Sequence, residues 1–294
     1  MTDNSELNPA NSLYPAQIDD AWLDQLREDI LRHFESLGLP NHNGNGQNGF
    51  SKEAVRTSHA YQRQELLERV QKALSCKWDQ LLAHFADGWE VNPAKIDPEL
   101  VTVHSDDETG TLFRFATLLW SVPVSSGYGR RMRYLVRDRA NNKLIGLFAL
   151  GDPVFNLQAR DKWIGWNAND RRARLVNMMD AYVVGAVPPY SQLLGGKLVA
   201  SLIGSAEVNQ AFSARYKQTC GIISGEVKAA QLVLVTVTSA LGRSSLYNRL
   251  KLTNPVKPDQ YLAYLQQIGE TRGYGHFHLS NSIFERLRHM LALE

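Results

Sequence analysis

The sequence predicts an α/β protein in which a helical N-terminal region precedes a mixed β-sheet domain flanked by helices. Three observations predict it. Apolar residues recur at helical spacing through the first 90 residues, and strand-forming residues dominate from about residue 100. In the second half, strands and helices alternate without the regular βαβα order of a doubly wound sheet.

Residues 1–14 are polar and poor in large apolar groups, which predicts a disordered tail. Residues 15–90 form the helical region. Ile18, Trp22, Leu23, Leu26, Ile30, Leu31 and Phe34 share a helical face, and the run ends at Gly38 and Pro40. The stretch NHNGNGQNG (41–49) has no apolar residue and reads as an Asn/Gly linker. From Ser51 a second helical stretch carries Leu66, Leu67, Val70, Leu74, Trp78, Leu81 and Leu82 as its apolar stripe.

The sheet domain is expected over 100–294. TLFRFATLLWSVPV (111–124), RMRYLVRD (131–138) and KLIGLFAL (143–150) are rich in strand formers, and the last two flank the turn-type RANN as a hairpin. NDRRARLVNMMD (169–180) reads as helix and AYVVGAV (181–187) as a short buried strand. A helix then runs to Ile203 and stops at Gly204. AEVNQAFSARYKQ (206–218) reads as helix, QLVLVTVTS (231–239) as a core strand, RSSLYNRL (243–250) as a short helix, and IFERLRHML as the terminal helix.

Lys and Arg total 32 against 30 Asp and Glu, for a formal net charge of +2, so no global polycation signature of nucleic-acid binding is present. The two cysteines, Cys76 and Cys220, form no disulfide framework and read as buried thiols; no Cys/His cluster suggests a metal. No apolar leader opens the sequence, and no apolar run approaches the roughly 20 residues of a bilayer span. A cytoplasmic protein with no membrane partner is therefore expected. No GxGxxG follows a strand and no GxxxxGK[ST] exists.

In AVPPYSQLLGGKLVASLIGS (186–205) a strand ends in two prolines and a helix opens on a glycine pair. A helix beginning over Gln192, Leu193, Leu194, Gly195, Gly196 and Lys197 leaves N–H groups unpaired, and with the helix dipole that end favours an anion such as a phosphate. Glycines remove the Cβ atoms that block close approach. The competing reading is that they only let the helix pack tightly on the sheet.

Set beside TSALGRSSLYNRLKL (238–252) and the hairpin strand LIGLFAL, this stretch resembles the GNAT N-acetyltransferase fold over roughly residues 130–270. In that family a Q/R-x-x-G-x-G/A signature opens the helix that holds the acyl-CoA pyrophosphate; here Gln192, Gly195 and Lys197 stand at the matching positions. A Y-x-x-L-G-F pattern carries a tyrosine that acts as general acid on the departing thiolate, which implies that role for Tyr247. Lys197 and Lys251 depart from the family's small residue and glycine, so the motif is degenerate. The resemblance implies acetyl-CoA or another acyl-CoA as cofactor and an acyl-CoA-dependent N-acyltransferase as the enzyme class.

GYGRRMRYLVRD (127–138), LGDPVFNLQARDKWIGW (150–166) and IGETRGYGHFHLSN (268–281) resemble the DruA family of the Druantia anti-phage defence systems, over most of residues 51–290. That resemblance implies a role in bacterial defence, with other defence-system proteins as partners, a helicase among them. It implies no particular reaction.

The same blocks are dense in arginine. Arg130, Arg131 and Arg133, with Arg160 and Arg272, are candidates for contacting nucleic acid; the competing reading is a solvated face with carboxylate partners. Trp163 and Trp166 are candidate walls of a pocket, or core plugs. For acid–base work the candidates are Asp161, Asp180, His276 and Tyr247; Asp161 beside Arg160 also reads as a structural salt bridge. A second class of function stays open: a non-enzymatic protein that binds nucleic acid or a partner protein and is associated with defence or transposable elements.

Overall fold

A computed structural model describes residues 15, 17–36, 52–125, 129–220, 227–254, 256–271 and 279–293. The expected tail (1–14) and linker (41–49), and the candidates Arg272 and His276, lie outside the described residues. Helices α1 (Asp20–Ser36), α2 (Lys52–Ser58), α3 (Ala60–Leu74) and α4 (Trp78–Leu82) come first. Then follow β1 (Pro98–Thr102), α5 (Glu108–Thr117), β2 (Arg131–Asp138), β3 (Lys143–Gly151), α6 (Gln158–Ile164), α7 (Ala168–Arg174) and β4 (Met178–Ala186). The second half continues with α8 (Gly195–Leu202), α9 (Ala206–Tyr216), β5 (Gln218–Cys220), β6 (Val227–Ala229), β7 (Leu234–Val237) and α10 (Ser245–Asn248). It closes with β8 (Lys251–Thr253), β9 (Tyr261–Ala263) and α11 (Asn281–Leu293).

The expected class, mixed α/β with helices around a mixed sheet, is what forms. Five strands pair in the order β1-β2-β3-β4-β7, antiparallel as far as β4 and parallel at the last pair. Two small antiparallel pairs, β5-β6 and β8-β9, stand apart from it. The β2-β3 hairpin forms because β-branched and aromatic residues fill both strands and Asn142 takes the left-handed conformation (φ 64°) in the turn between them. Ile145, Phe148, Met179, Val199, Val208 and Phe212 meet in the core between the sheet and helices α8 and α9.

Three segments depart from the sequence reading. TLFRFATLLW, rich in strand formers, contains helix α5: Asp107 accepts from the backbone N–H groups of Thr109 and Gly110, and Leu112, Phe113, Phe115 and Ala116 then fall on one buried face. β4 begins at Met178, inside the stretch read as helix, because Met178 and Met179 are wholly buried in the sheet. The apolar run at 231–239, read as a core strand, pairs on one side only and leaves Val233 exposed. Cys76, read as a buried thiol, is exposed; the side chain of Cys220 lies outside the described residues.

The chain divides into two compact units, one spanning Arg69–Gly273 and the other joining Met1–Glu68 to Tyr274–Glu294. Residues 69–90 belong with the sheet and α11 with α1, whereas the sequence reading set the boundary at 90–100 and ran the sheet domain to residue 294. In the smaller unit Trp22 and Leu26 pack on Ile283, and Arg286 reaches Asp29 at 2.6 Å while lying over the Trp22 ring at 5.2 Å. That contact holds the Asp29 carboxyl below its ordinary pKa, chiefly through the Arg286 hydrogen bond.

Candidate functional site

Strand β4 is longer than its parallel neighbour. The two pair from Met178 opposite Leu234 to Ala181 opposite Val237, where β7 ends, while β4 continues to Ala186 against β3. The sheet therefore forks after Ala181, and on the β7 side residues 182–186 of β4 have no strand partner among the described residues. The chain leaving β4 makes a short 3-10 turn over Tyr190–Leu193, passes through Leu194 in the left-handed region (φ 63°), and enters α8 at Gly195.

Tyr190 anchors that turn. It is wholly buried, its hydroxyl donates to Asp138 at 2.8 Å, and it accepts from the Asn141 side-chain amide at 2.9 Å. Asp138 also accepts from the backbone amides of Asp97 and Ala140, each at 3.0 Å. Burial and the Asp138 carboxylate together push the Tyr190 phenol far up, so it serves as a fixed hydrogen-bonding post.

Both glycines of the turn have packing work. A Cβ on Gly195 would stand 2.6 Å from the Tyr190 carbonyl oxygen, and one on Gly196 3.2 Å from Leu246 Cδ1 on α10. The same geometry leaves donors over. The Leu194 amide donates to Tyr190 O and the Lys197 amide to Leu194 O, while the Gly195 and Gly196 amides find no acceptor among the described residues. Leu193 and Leu194 are exposed beside them, Leu194 to 68%, and Lys197 makes no ion pair among the described residues. Gln192 is exposed.

At the base of the fork two of the expected acid–base residues come together. Asp180 on β4 lies opposite Thr236 on β7, whose hydroxyl donates to Asp180 Oδ1 at 2.7 Å. Burial raises the Asp180 pKa above the usual carboxylate range, against the pull of the Thr236 hydroxyl and the Arg160 charge. Tyr247 on α10 is pushed up to about 12 by burial and by the Asp180 charge. Thr236 went unrecognised in the sequence: it is one threonine in an apolar run, and only the strand register sets it against Asp180.

The other expected sites resolve differently. Arg160 has no exposed surface: its Nε donates to Asp161 Oδ1 at 2.8 Å and its terminal nitrogens to the carbonyls of Val154 (2.8 Å) and Phe155 (2.9 Å). It cannot meet a phosphate. Asp161 is also buried, with Arg171 at 3.2 Å on its second oxygen, so both oxygens are committed to guanidinium groups and it is a structural anchor, not a general base. Arg130 too is turned inward. It bonds Asp152 Oδ1 at 2.7 Å and the carbonyls of Leu175, Val176 and Met178, and lies over the rings of Phe212 and Tyr216. Arg133 bonds the Tyr182 hydroxyl at 3.3 Å above the Phe113 ring, and the Arg131 backbone amide bonds the Tyr216 hydroxyl at 3.0 Å. Trp163 is half exposed on α6, whereas Trp166 borders an open depression of about 540 Å³ with Asn156, Leu157, Gln158, Asp161, Lys162 and Arg171.

The sequence profile of the family described as Druantia protein DruA matches residues 50–292. The chain belongs to the DruA family. It is 48% identical over 269 residues to the Druantia protein DruA of Escherichia coli (strain UMEA 4076-1), a match that covers 91% of this chain and 65% of that protein. The chain thus spans just under two thirds of that relative's length. No solved structure matches the chain.

In this DruA-family chain no group of three or more His, Cys, Asp or Glu residues suited to a metal ion occurs among the described residues. No described helix is long and apolar enough to cross a membrane.

Proposed function

We propose that the chain is a component of a bacterial anti-phage defence system of the Druantia type, and that its sheet domain is a GNAT-like core holding acyl-CoA or another phosphate-bearing ligand at the fork between β4 and β7. Family membership supports the first part. The observation that carries the second is the fork: an open strand edge leading from the α8 amides at one end to Asp180 and Tyr247 at the other. The resemblance of residues 130–270 to the GNAT fold supports it as well, on a sheet of order β1-β2-β3-β4-β7 whose last pair is parallel.

On this reading the Gly195 and Gly196 amides and Lys197 receive phosphate oxygens at the α8 N-terminus. The free peptide groups of residues 182–186 receive the amides of the ligand's extended arm, as an added strand would. If an acyl group is transferred, an acceptor amine attacks the thioester carbonyl, the C–N bond forms and the C–S bond breaks. Asp180 takes the amine's proton, and Tyr247, protonated throughout the physiological range, returns one to the thiolate. Partners on this reading are other proteins of the system, a helicase among them. The alternative, a non-enzymatic protein that grips nucleic acid or a partner through its arginines, loses Arg130 and Arg160 to internal bonds.

Calorimetry with acetyl-CoA tests the ligand. Lys197→Glu weakens binding about tenfold or more without lowering the melting temperature, and Tyr247→Phe leaves binding intact while slowing any transfer. Gly195→Asp is the wrong probe, because its Cβ collides with Tyr190. No binding to the intact protein overturns the cofactor reading. The defence role is tested separately, by plaque counts on cells carrying the full system with and without this chain.

A further inference from the structure

The depression beside Trp166 has a chemistry of its own. It is formed within residues 152–177, the segment between β3 and β4, and it takes no part in the fork site proposed above. It is a shallow depression of about 540 Å³, open to solvent on one side. Two cations line it, Arg171 and Lys162, while Arg160 lies buried behind Asp161. One carboxylate, Asp161, stands among them, held by Arg160 at 2.6 Å and Arg171 at 3.2 Å. The local charge is therefore positive, and Lys162 is exposed with no ion pair among the described residues.

The planar groups are equally arranged. Arg160 lies over the Trp166 ring at 5.9 Å from the centroid, and Arg171 lies over the Phe155 ring at 5.4 Å, which fixes both the indole and the second guanidinium. Arg171 Nε is buried with no acceptor. Asn156 and Gln158 present exposed side-chain amides on the rim, each with donors and an acceptor.

We infer that this depression binds a nucleotide, its base stacked on Trp166 and read by the Asn156 and Gln158 amides, and its phosphate held by Lys162 and Arg171. An indole for stacking, amides for a base edge and cations for a phosphate are the set by which proteins take up an unpaired nucleotide. Two sources share that chemistry: a free nucleoside monophosphate and a nucleotide in a single strand.

Titration of the full chain with adenosine 5′-monophosphate, a dA12 oligonucleotide and inorganic phosphate, read by calorimetry, tests the inference. Lys162→Glu weakens nucleotide binding about tenfold and Trp166→Leu by a similar factor, and Gln158→Ala, on the exposed rim, gives a smaller loss. Melting temperature is followed for each variant, and Lys162→Glu and Gln158→Ala leave it unchanged. Saturation by the monophosphate identifies a free nucleotide as the ligand. Saturation by dA12 alone, with a Lys162→Glu loss, identifies a strand. The inference is overturned if neither probe binds, if binding survives both Lys162→Glu and Gln158→Ala, or if inorganic phosphate competes as well as the nucleotide does.

Discussion

Asp161 and Asp180 look alike in the sequence, and their surroundings in the same sheet domain set them apart. Asp161 sits between the guanidinium groups of Arg160 and Arg171, with both oxygens committed. Asp180 meets the neutral Thr236 hydroxyl at 2.7 Å, its charge acts on the Tyr247 phenol, and burial raises its pKa. A buried carboxylate with both oxygens bonded to guanidinium groups is fixed in place and builds structure. One desolvated beside a neutral hydroxyl binds a proton more tightly than a free carboxylate does. Arg160 belongs to both settings, as contact partner of the first and as a weaker, more distant influence on the second.

The largest test of this contrast is Arg160→Met. Removing one partner of a buried ion pair is expected to cost about 3–5 kcal/mol, measured by urea unfolding. Where the variant still folds, Asp180 titrates higher, since the Arg160 charge now lowers it. Gly195→Ala comes next: its Cβ meets the Tyr190 carbonyl, and overpacking of this kind costs about 1–3 kcal/mol, seen in the same measurement.

Asp180→Asn has a smaller effect of opposite sign. The folded state raises this pKa, so the group's contribution is fully present below the unfolded value and is lost as pH rises through the folded value. The asparagine variant has no such loss. It is expected to melt higher than the parent at pH 7 and to lose that advantage near pH 4, in melts scanned across pH. An unchanged difference would show that burial does not raise the Asp180 pKa. Trp163→Ala marks the floor, within about 0.5 kcal/mol of the parent, because the ring is half exposed.

The features legible in the sequence were those with a local signature. RMRYLVRD and KLIGLFAL became β2 and β3 because strand formers fill both and a turn joins them. The helix opening at Gly195 was marked by its glycines and its apolar repeat. What could not be read depended on distant partners. β1 is a short edge segment, PELVT, that forms only by lying on β2. The arginine run at 130–133 reads as a basic surface, yet Arg130 finds its acceptors 22 and about 46 residues away. The glycine pair admitted two readings: the packing against Tyr190 and Leu246 is visible, and the two amides left without an acceptor among the described residues keep the anion reading as a proposal.

Arg130 has one more consequence. Its guanidinium ties Asp152, just past the end of β3, to the carbonyls of Leu175, Val176 and Met178 at the entry to β4. Residues 152–177 thus leave and rejoin the sheet at stations set by a side chain outside the segment. The span between those stations stays constant whatever the segment contains, and longer loops add little closure entropy. Insertions within this stretch, away from Asp152 and residues 175–178, are therefore expected to leave the pairing of β3 with β4 in register.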